Sequence, residues 1–206
     1  TLEAYRGLLG DAAVRAVVEP LRNYLGEAQL PKAERRIVSV MFADLTGFTA
    51  LAGTHDPEEV RDLINACFSQ LVPVVERFGG TVDKFIGDAV MVLFGAPTAH
   101  ENDAERAIRA GLALFEALDA FNQAHQIALG LHIGINTGLV VAGGIGPVER
   151  QEYSVIGDAV NIASRLADLA EPGTLLIGEA TYQAVANLIQ AEARFGMRIK
   201  GKAESI

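Results

Sequence analysis

Seven consecutive residues, Ile37-Val-Ser-Val-Met-Phe-Ala43, are β-rich and almost wholly apolar, and the eighth is a carboxylate, Asp44. A strand with one wet face would alternate polar and apolar residues. This run does not, so it reads as a strand buried in a mixed sheet. Helices must then cover that sheet, and the following sequence supplies them. Asp56-Pro57 places an N-cap and a first-turn proline ahead of Glu58 and Glu59. Val60, Leu63, Ile64, Cys67, Phe68, Leu71, Val74, Val75 and Phe78 then form one helical stripe that stops at Gly79-Gly80. Cys67 lies inside the stripe and reads as a small core residue.

Two short apolar runs, 81–86 and 89–94, flank Gly87-Asp88, a Gly-first hairpin signal. Thr98-x-x-Glu101 resembles a capping box opening a helix with Ala104, Ala107, Ile108, Gly111, Leu114, Phe115 and Leu118 on one face. Residues 126–136 and 139–143 predict a second strand pair turning at Thr137-Gly138. A Gly-rich loop over 143–147 leads to a strand at Tyr153-Ser-Val-Ile156 and a helix over about 158–170. A strand at 175–177, a helix near 180–186 and strands near 191–194 and 197–200 follow. The fold class is α+β: a mixed, mainly antiparallel sheet covered by helices. Residues 1–34 read as a helical segment or linker, with apolar residues at near-helical spacing as far as Leu25, and 35–206 as one domain.

One cysteine in 206 residues excludes a disulfide scaffold and fits a reducing, cytoplasmic compartment. A net charge of −9 argues against sequence-independent nucleic-acid binding. It leaves room for an anionic small ligand held by a few cations. No run reaches the ~18 apolar residues of a membrane span. The chain begins without Met and ends after Lys200-Gly-Lys-Ala-Glu-Ser-Ile206, so a longer protein is expected around it, with the domain's last strand cut short.

Asp44 stands at a strand end beside a glycine turn, Asp44-Leu-Thr-Gly-Phe-Thr49. There a carboxylate can bind a cation while the turn's N–H groups face phosphate oxygens. Asp88 is at the hairpin tip. Were the two strands neighbours, the carboxylates would converge, and two aspartates with a nucleotide would suit Mg²⁺. Two unrelated turn aspartates are the plainer alternative. Lys84 is a cation in an otherwise largely apolar strand, on one face with Val82 and Ile86. It must find a partner or snorkel. Asn161 and Arg165 lie i,i+4 off the apolar stripe of a helix, free to face a cleft, a partner or only solvent. The four histidines are dispersed, and His100 and His125 read as surface residues.

Together, Phe42-Ala-Asp-Leu-Thr-Gly-Phe48, Lys84-Phe-Ile-Gly-Asp-Ala-Val90 and Tyr153-Ser-Val-Ile-Gly-Asp-Ala-Val-Asn-Ile-Ala-Ser-Arg165 resemble the class III nucleotidyl cyclase catalytic domain. Their style is similar to the branch of soluble, bicarbonate-responsive adenylyl cyclases. The resemblance implies a ferredoxin-like core, a head-to-tail homodimer with composite sites, and conversion of ATP to cyclic AMP and pyrophosphate. It implies metal ligation by Asp44, Asp88 and the Leu45 backbone, with two divalent cations, Mg²⁺ or Mn²⁺. It implies substrate contacts from Thr46, Gly47, Phe48 and Thr49, purine reading by Lys84 and Ser154, ribose orientation by Asn161, and transition-state stabilisation by Arg165. It also implies phosphate contacts from Lys200 and from His132, where many members carry Arg. Bicarbonate is the effector this branch suggests.

The sequence departs from the family at Ser154, where adenylyl cyclases usually carry Asp or Thr and guanylyl cyclases Cys. Lys84 favours ATP, because guanylyl cyclases carry Glu there. A cyclase of relaxed purine choice, or a weak or inactive nucleotide-binding regulatory module, is the alternative.

Overall fold

The computed structural model describes residues 32–47, 53, 56–147 and 151–193. The expected helices before residue 32, Phe48, Thr49, Lys200 and the strand near 197–200 lie outside the described residues. The elements are β1 (Glu34–Thr46), α1 (Pro57–Arg77), β2 (Thr81–Ile86), β3 (Ala89–Phe94), α2 (Asp103–His125), β4 (Gly130–Ile145), β5 (Glu152–Ile156), α3 (Asp158–Leu169), β6 (Leu175–Ile177) and α4 (Glu179–Val185). The sheet runs β2-β3-β1-β4-β5 with antiparallel neighbours, and β6 adds to β4 in parallel. The class is α+β, as the alternation of runs and stripes predicts.

β1 is almost wholly apolar over 38–43 because both its faces are covered there. Met41, Ala43 and Leu45 join Leu131, Ile133 and Ile135 of β4 beneath α1 and α2, around Cys67, Leu114 and Phe121. Val38, Val40 and Phe42 face the other way, with Met91 and Leu93 of β3, onto Ala159, Ala163 and Ala167 of α3. Those three alanines recur every four residues, so one narrow strip of α3 lies flat on the sheet. Cys67 is fully buried, and burial pushes its thiol up to about 11. It is core, not a nucleophile.

The cap at Asp56 is a complete capping box with Glu59, and its side chain accepts from the Glu58 N–H at 2.9 Å. The Gly87-Asp88 hairpin forms with φ +65° at Gly87.

Five sequence readings are corrected. Thr137-Gly138 is no turn: β4 is one strand of 16 residues, paired with β1 from Gly130↔Thr46 to Ala142↔Glu34. Gly138 is there because a Cβ would crowd the Ala159 Cβ at 3.0 Å, not to reverse the chain. Gly143 to Ile145 likewise belong to β4, paired with β5, and not to a loop. The second helix starts at Asp103 with Asn102 as N-cap and no side-chain cap, so Thr98-x-x-Glu101 is not its box. The Asp103 carboxylate accepts instead from the His100 N–H and faces its ring, which makes His100 half-buried and partnered. His125 is exposed as read. Residues 191–193 form no strand.

Candidate active site

Asp44 lies near the end of β1, and pairing places Ala89 on one side of it and His132 on the other. The β2–β3 hairpin therefore delivers Asp88 to the same strand end. The Leu45 N–H donates to the Asp88 carbonyl at 3.2 Å. The two aspartates do converge. Burial pushes the Asp44 carboxyl above its usual range, and Asp88 and then Asp168 of α3 add to the rise; His132 and the Leu45 N–H oppose it. Among the described residues no lysine or arginine pairs with Asp44 or Asp88. Crowded carboxylates with no organic cation are what a hard divalent ion relieves, using one or two carboxylates plus phosphate oxygens. No group of three or more histidine, cysteine or acidic side chains forms a self-sufficient metal site among the described residues.

His132 is turned inward. Its Nδ1 donates to the Ala167 carbonyl at 2.6 Å, and its Nε2 stands 3.3 Å from Asp44 Oδ2. Its side chain is 12% exposed. The ring thus spans α3 and Asp44. Thr46 closes β1 opposite Gly130, where its Oγ1 occupies the space a Cβ would need. Gly47 follows with φ +98°, which favours glycine and turns the chain away from the strand.

Lys84 and Ser154 come from the two outermost strands of the main path, β2 and β5. They nevertheless meet, so the sheet curls far enough for side chains of its edges to touch. The link is Asp83. Ser154 Oγ donates to Asp83 Oδ2 at 2.9 Å, and Lys84 Nζ lies 3.2 Å from the same oxygen. A register shift between Val82 and Lys84 leaves Lys84 on one face with Ile86, as expected, but puts Val82 on the other. Lys84 is 48% exposed, while the Asp83 side chain is 1% exposed. Sequence reasoning missed Asp83. Its signal was a carboxylate inside an apolar strand, directly before the lysine.

Asn161 and Arg165 lie on α3 away from the alanine strip, Asn161 exposed and Arg165 half-buried. Among the described residues, neither is joined by hydrogen bond or ion pair to Asp44, Asp88, Lys84 or Ser154. One chain thus holds three separate polar groups: a carboxylate pair, a Lys–Asp–Ser cluster, and an Asn–Arg pair.

Residues 30–206 match the family described as Adenylate and Guanylate cyclase catalytic domain. Among curated relatives, adenylate cyclase 1 of Rhizobium meliloti is 42% identical over 139 residues, 65% of this chain and 21% of that protein. The chain spans about a third of the length of the curated relatives that match most of its residues. The structure of the adenylyl cyclase CyaB from P. aeruginosa is 32% identical, with a TM-score of 0.81 over 84% of this chain and 92% of that one. That of the guanylyl cyclase Cya2 is 35% identical, with a TM-score of 0.79 over 84% and 90%. The motif resemblance, the curled sheet and the converging aspartates all agree with these matches: the chain belongs to the class III adenylyl/guanylyl cyclase catalytic domain family.

Proposed function

We propose that the chain is an adenylyl cyclase catalytic domain, converting ATP to 3′,5′-cyclic AMP and pyrophosphate at sites shared between two head-to-tail copies. The observation that supports this most is the separation of polar groups within one chain. Asp44 and Asp88 meet at one strand end, while Lys84 and Ser154 meet through Asp83. Neither group is bonded to Asn161 or Arg165. A second copy, placed head to tail, completes each set with the other's. Phe85 and Ile86, 51% and 50% exposed on the hairpin, supply apolar surface for such a partner to cover.

In this reading Asp44 and Asp88, with the Leu45 backbone, hold two divalent cations, Mg²⁺ or Mn²⁺. Bound there, the ions would lower the pKa of the ribose hydroxyl and offset triphosphate charge. From the second copy, Lys84 and Ser154 read the purine edge and Asn161 orients the ribose. The 3′-oxygen bonds to the α-phosphorus, the bond to the bridging oxygen breaks, and pyrophosphate leaves with that oxygen. Arg165 faces the charge that develops on the α-phosphate and leaving group; its planar donor fork suits the task. The backbone of Thr46, Gly47, Phe48 and Thr49, and Lys200, contact the phosphates. The hydroxyl proton passes to water, with no side chain assigned as its base. His132, on β4 with its ring anchored to α3, holds Asp44 in place.

ATP is assigned over GTP because an ammonium at Lys84 suits the acceptor atoms of adenine's edge. The match to an adenylate cyclase supports that choice at the family level. The test is cyclic-nucleotide formation from ATP and GTP, with Mg²⁺ and Mn²⁺, across a protein dilution series. Cyclic AMP with specific activity falling on dilution is expected. Activity independent of concentration refutes the shared site, and a preference for GTP refutes the substrate. Bicarbonate is proposed as an effector on the branch resemblance alone; a flat response at fixed pH and ionic strength removes it.

A further inference from the structure

Asp83 is a buried carboxylate that the reaction as proposed does not use. Its side chain is 1% exposed. Its Oδ1 has no hydrogen-bond partner among the described residues. Its Oδ2 takes the Ser154 hydroxyl at 2.9 Å and faces Lys84 Nζ at 3.2 Å. Burying a carboxylate oxygen without a partner costs stability, so a residue retained at that cost calls for a role other than holding the fold.

A serine hydroxyl has one proton and two lone pairs. Left free, it rotates: it accepts from an amine or donates to a carbonyl with similar ease. It would then distinguish poorly between adenine's exocyclic amine, a donor, and guanine's exocyclic oxygen, an acceptor. A carboxylate oxygen can only accept from it. While Ser154 donates to Asp83, its proton is committed and only lone pairs face outward. Lys84, drawn to the same oxygen, has donors only.

We propose that Asp83 is a specificity-determining residue: by fixing the Ser154 hydroxyl as an acceptor beside the Lys84 donor, it makes the pair complementary to adenine and repellent to guanine. Asp83 touches no substrate and is therefore a positioning residue. The inference rests on the reading of Lys84 and Ser154 as the purine contacts. It explains how serine suffices at a position where other adenylyl cyclases of the family carry Asp or Thr: the acceptor character is imposed from the opposite edge strand.

The test measures kcat/KM for ATP and GTP in the wild type, Asp83→Ala, Ser154→Ala, Asp83→Ala/Ser154→Ala and Lys84→Glu/Ser154→Cys. Asp83→Ala is expected to lower the ATP:GTP ratio about tenfold, the scale of one buried hydrogen-bonding mismatch. In the Ser154→Ala background the same substitution should move the ratio less than twofold, because no hydroxyl is left to direct. Asp83→Val suits a strand and lacks the acceptor. It carries the same expectation where the alanine variant does not fold. Equal losses for ATP and GTP, with the ratio unmoved, would mean that Asp83 is only structural, and the inference fails. If Lys84→Glu/Ser154→Cys shifts the ratio while Asp83→Ala does not, the purine contacts stand and the inference alone falls. If neither shifts it, these residues do not contact the base and both readings fall.

Discussion

His132 and Asp44 face one another across the paired strands β4 and β1, Nε2 3.3 Å from Oδ2, with the far side of the ring anchored to the Ala167 carbonyl of α3. Nδ1 must carry a hydrogen to donate to that carbonyl. The ring thereby ties the helix bearing Asn161 and Arg165 to the strand bearing Asp44. Two parts of the site assigned to different copies in the dimer are mechanically joined within each chain.

The Asp44 carboxyl is raised by burial first, then by Asp88 and Asp168. The folded chain thus holds this proton more tightly than the unfolded chain. That contribution to stability is present at low pH and lost as pH rises through the raised value. In the metal-free protein at neutral pH, an ionised Asp44 is a net cost. Asp44→Asn should therefore abolish turnover yet melt at or above the wild type at pH 7, with the difference shrinking toward pH 4. Added Mg²⁺ with a nucleotide analogue should raise the wild-type midpoint only. Thermal melts with and without the ion check this, and a variant several degrees less stable at pH 7 contradicts it.

Shared sites predict rescue between dead variants. Mixing Asp44→Ala with Arg165→Ala gives heterodimers with one doubly defective site and one intact site. Random pairing makes about half the dimers mixed, so recovery should approach roughly a quarter of wild-type activity per chain. A mixture as inactive as its components, after verified subunit exchange, means that the residues act within one chain.

Lys84→Glu with Ser154→Cys should shift preference from ATP toward GTP, since a carboxylate accepts from guanine's donors where the ammonium donated. The readout is the ratio of kcat/KM for the two nucleotides. An unchanged ratio in an active variant removes both residues from the base pocket.

Gly134→Ala should dislodge α3. A Cβ there would run into the backbone of Ala163 and Ala167, which cannot rotate aside. A loss of about 3 kcal/mol in denaturant unfolding is expected, at the upper end for overpacking. Catalysis should fall further than stability explains, because α3 carries Asn161 and Arg165. Unfolding within 0.5 kcal/mol of wild type would show that the helix has slack; such a difference is within the usual effect of an indifferent surface change.

The order of elements was legible in local chemistry: the Asp56-Pro57 cap, the α1 stripe and the Gly87-Asp88 turn act on their immediate neighbours, and each formed where read. So was the fold class, since a run apolar on both faces must lie between layers. The convergence of Asp44 and Asp88 followed from one assumption, that β1 and β3 are neighbours, and the register fulfils it. What failed was the meaning of glycine. At 138 and 143 glycine looks like a turn residue to its own neighbours in sequence, but Ala159 and Ala33, distant in sequence, are what exclude a side chain there. Asp83 was invisible for the same reason: its partner Ser154 lies 71 residues away on the opposite edge strand. Local propensity and capping act over about four residues, and the sequence alone determined what they govern. Tertiary structure alone decided which polar groups meet, because that depends on strand register and on how far the sheet curls.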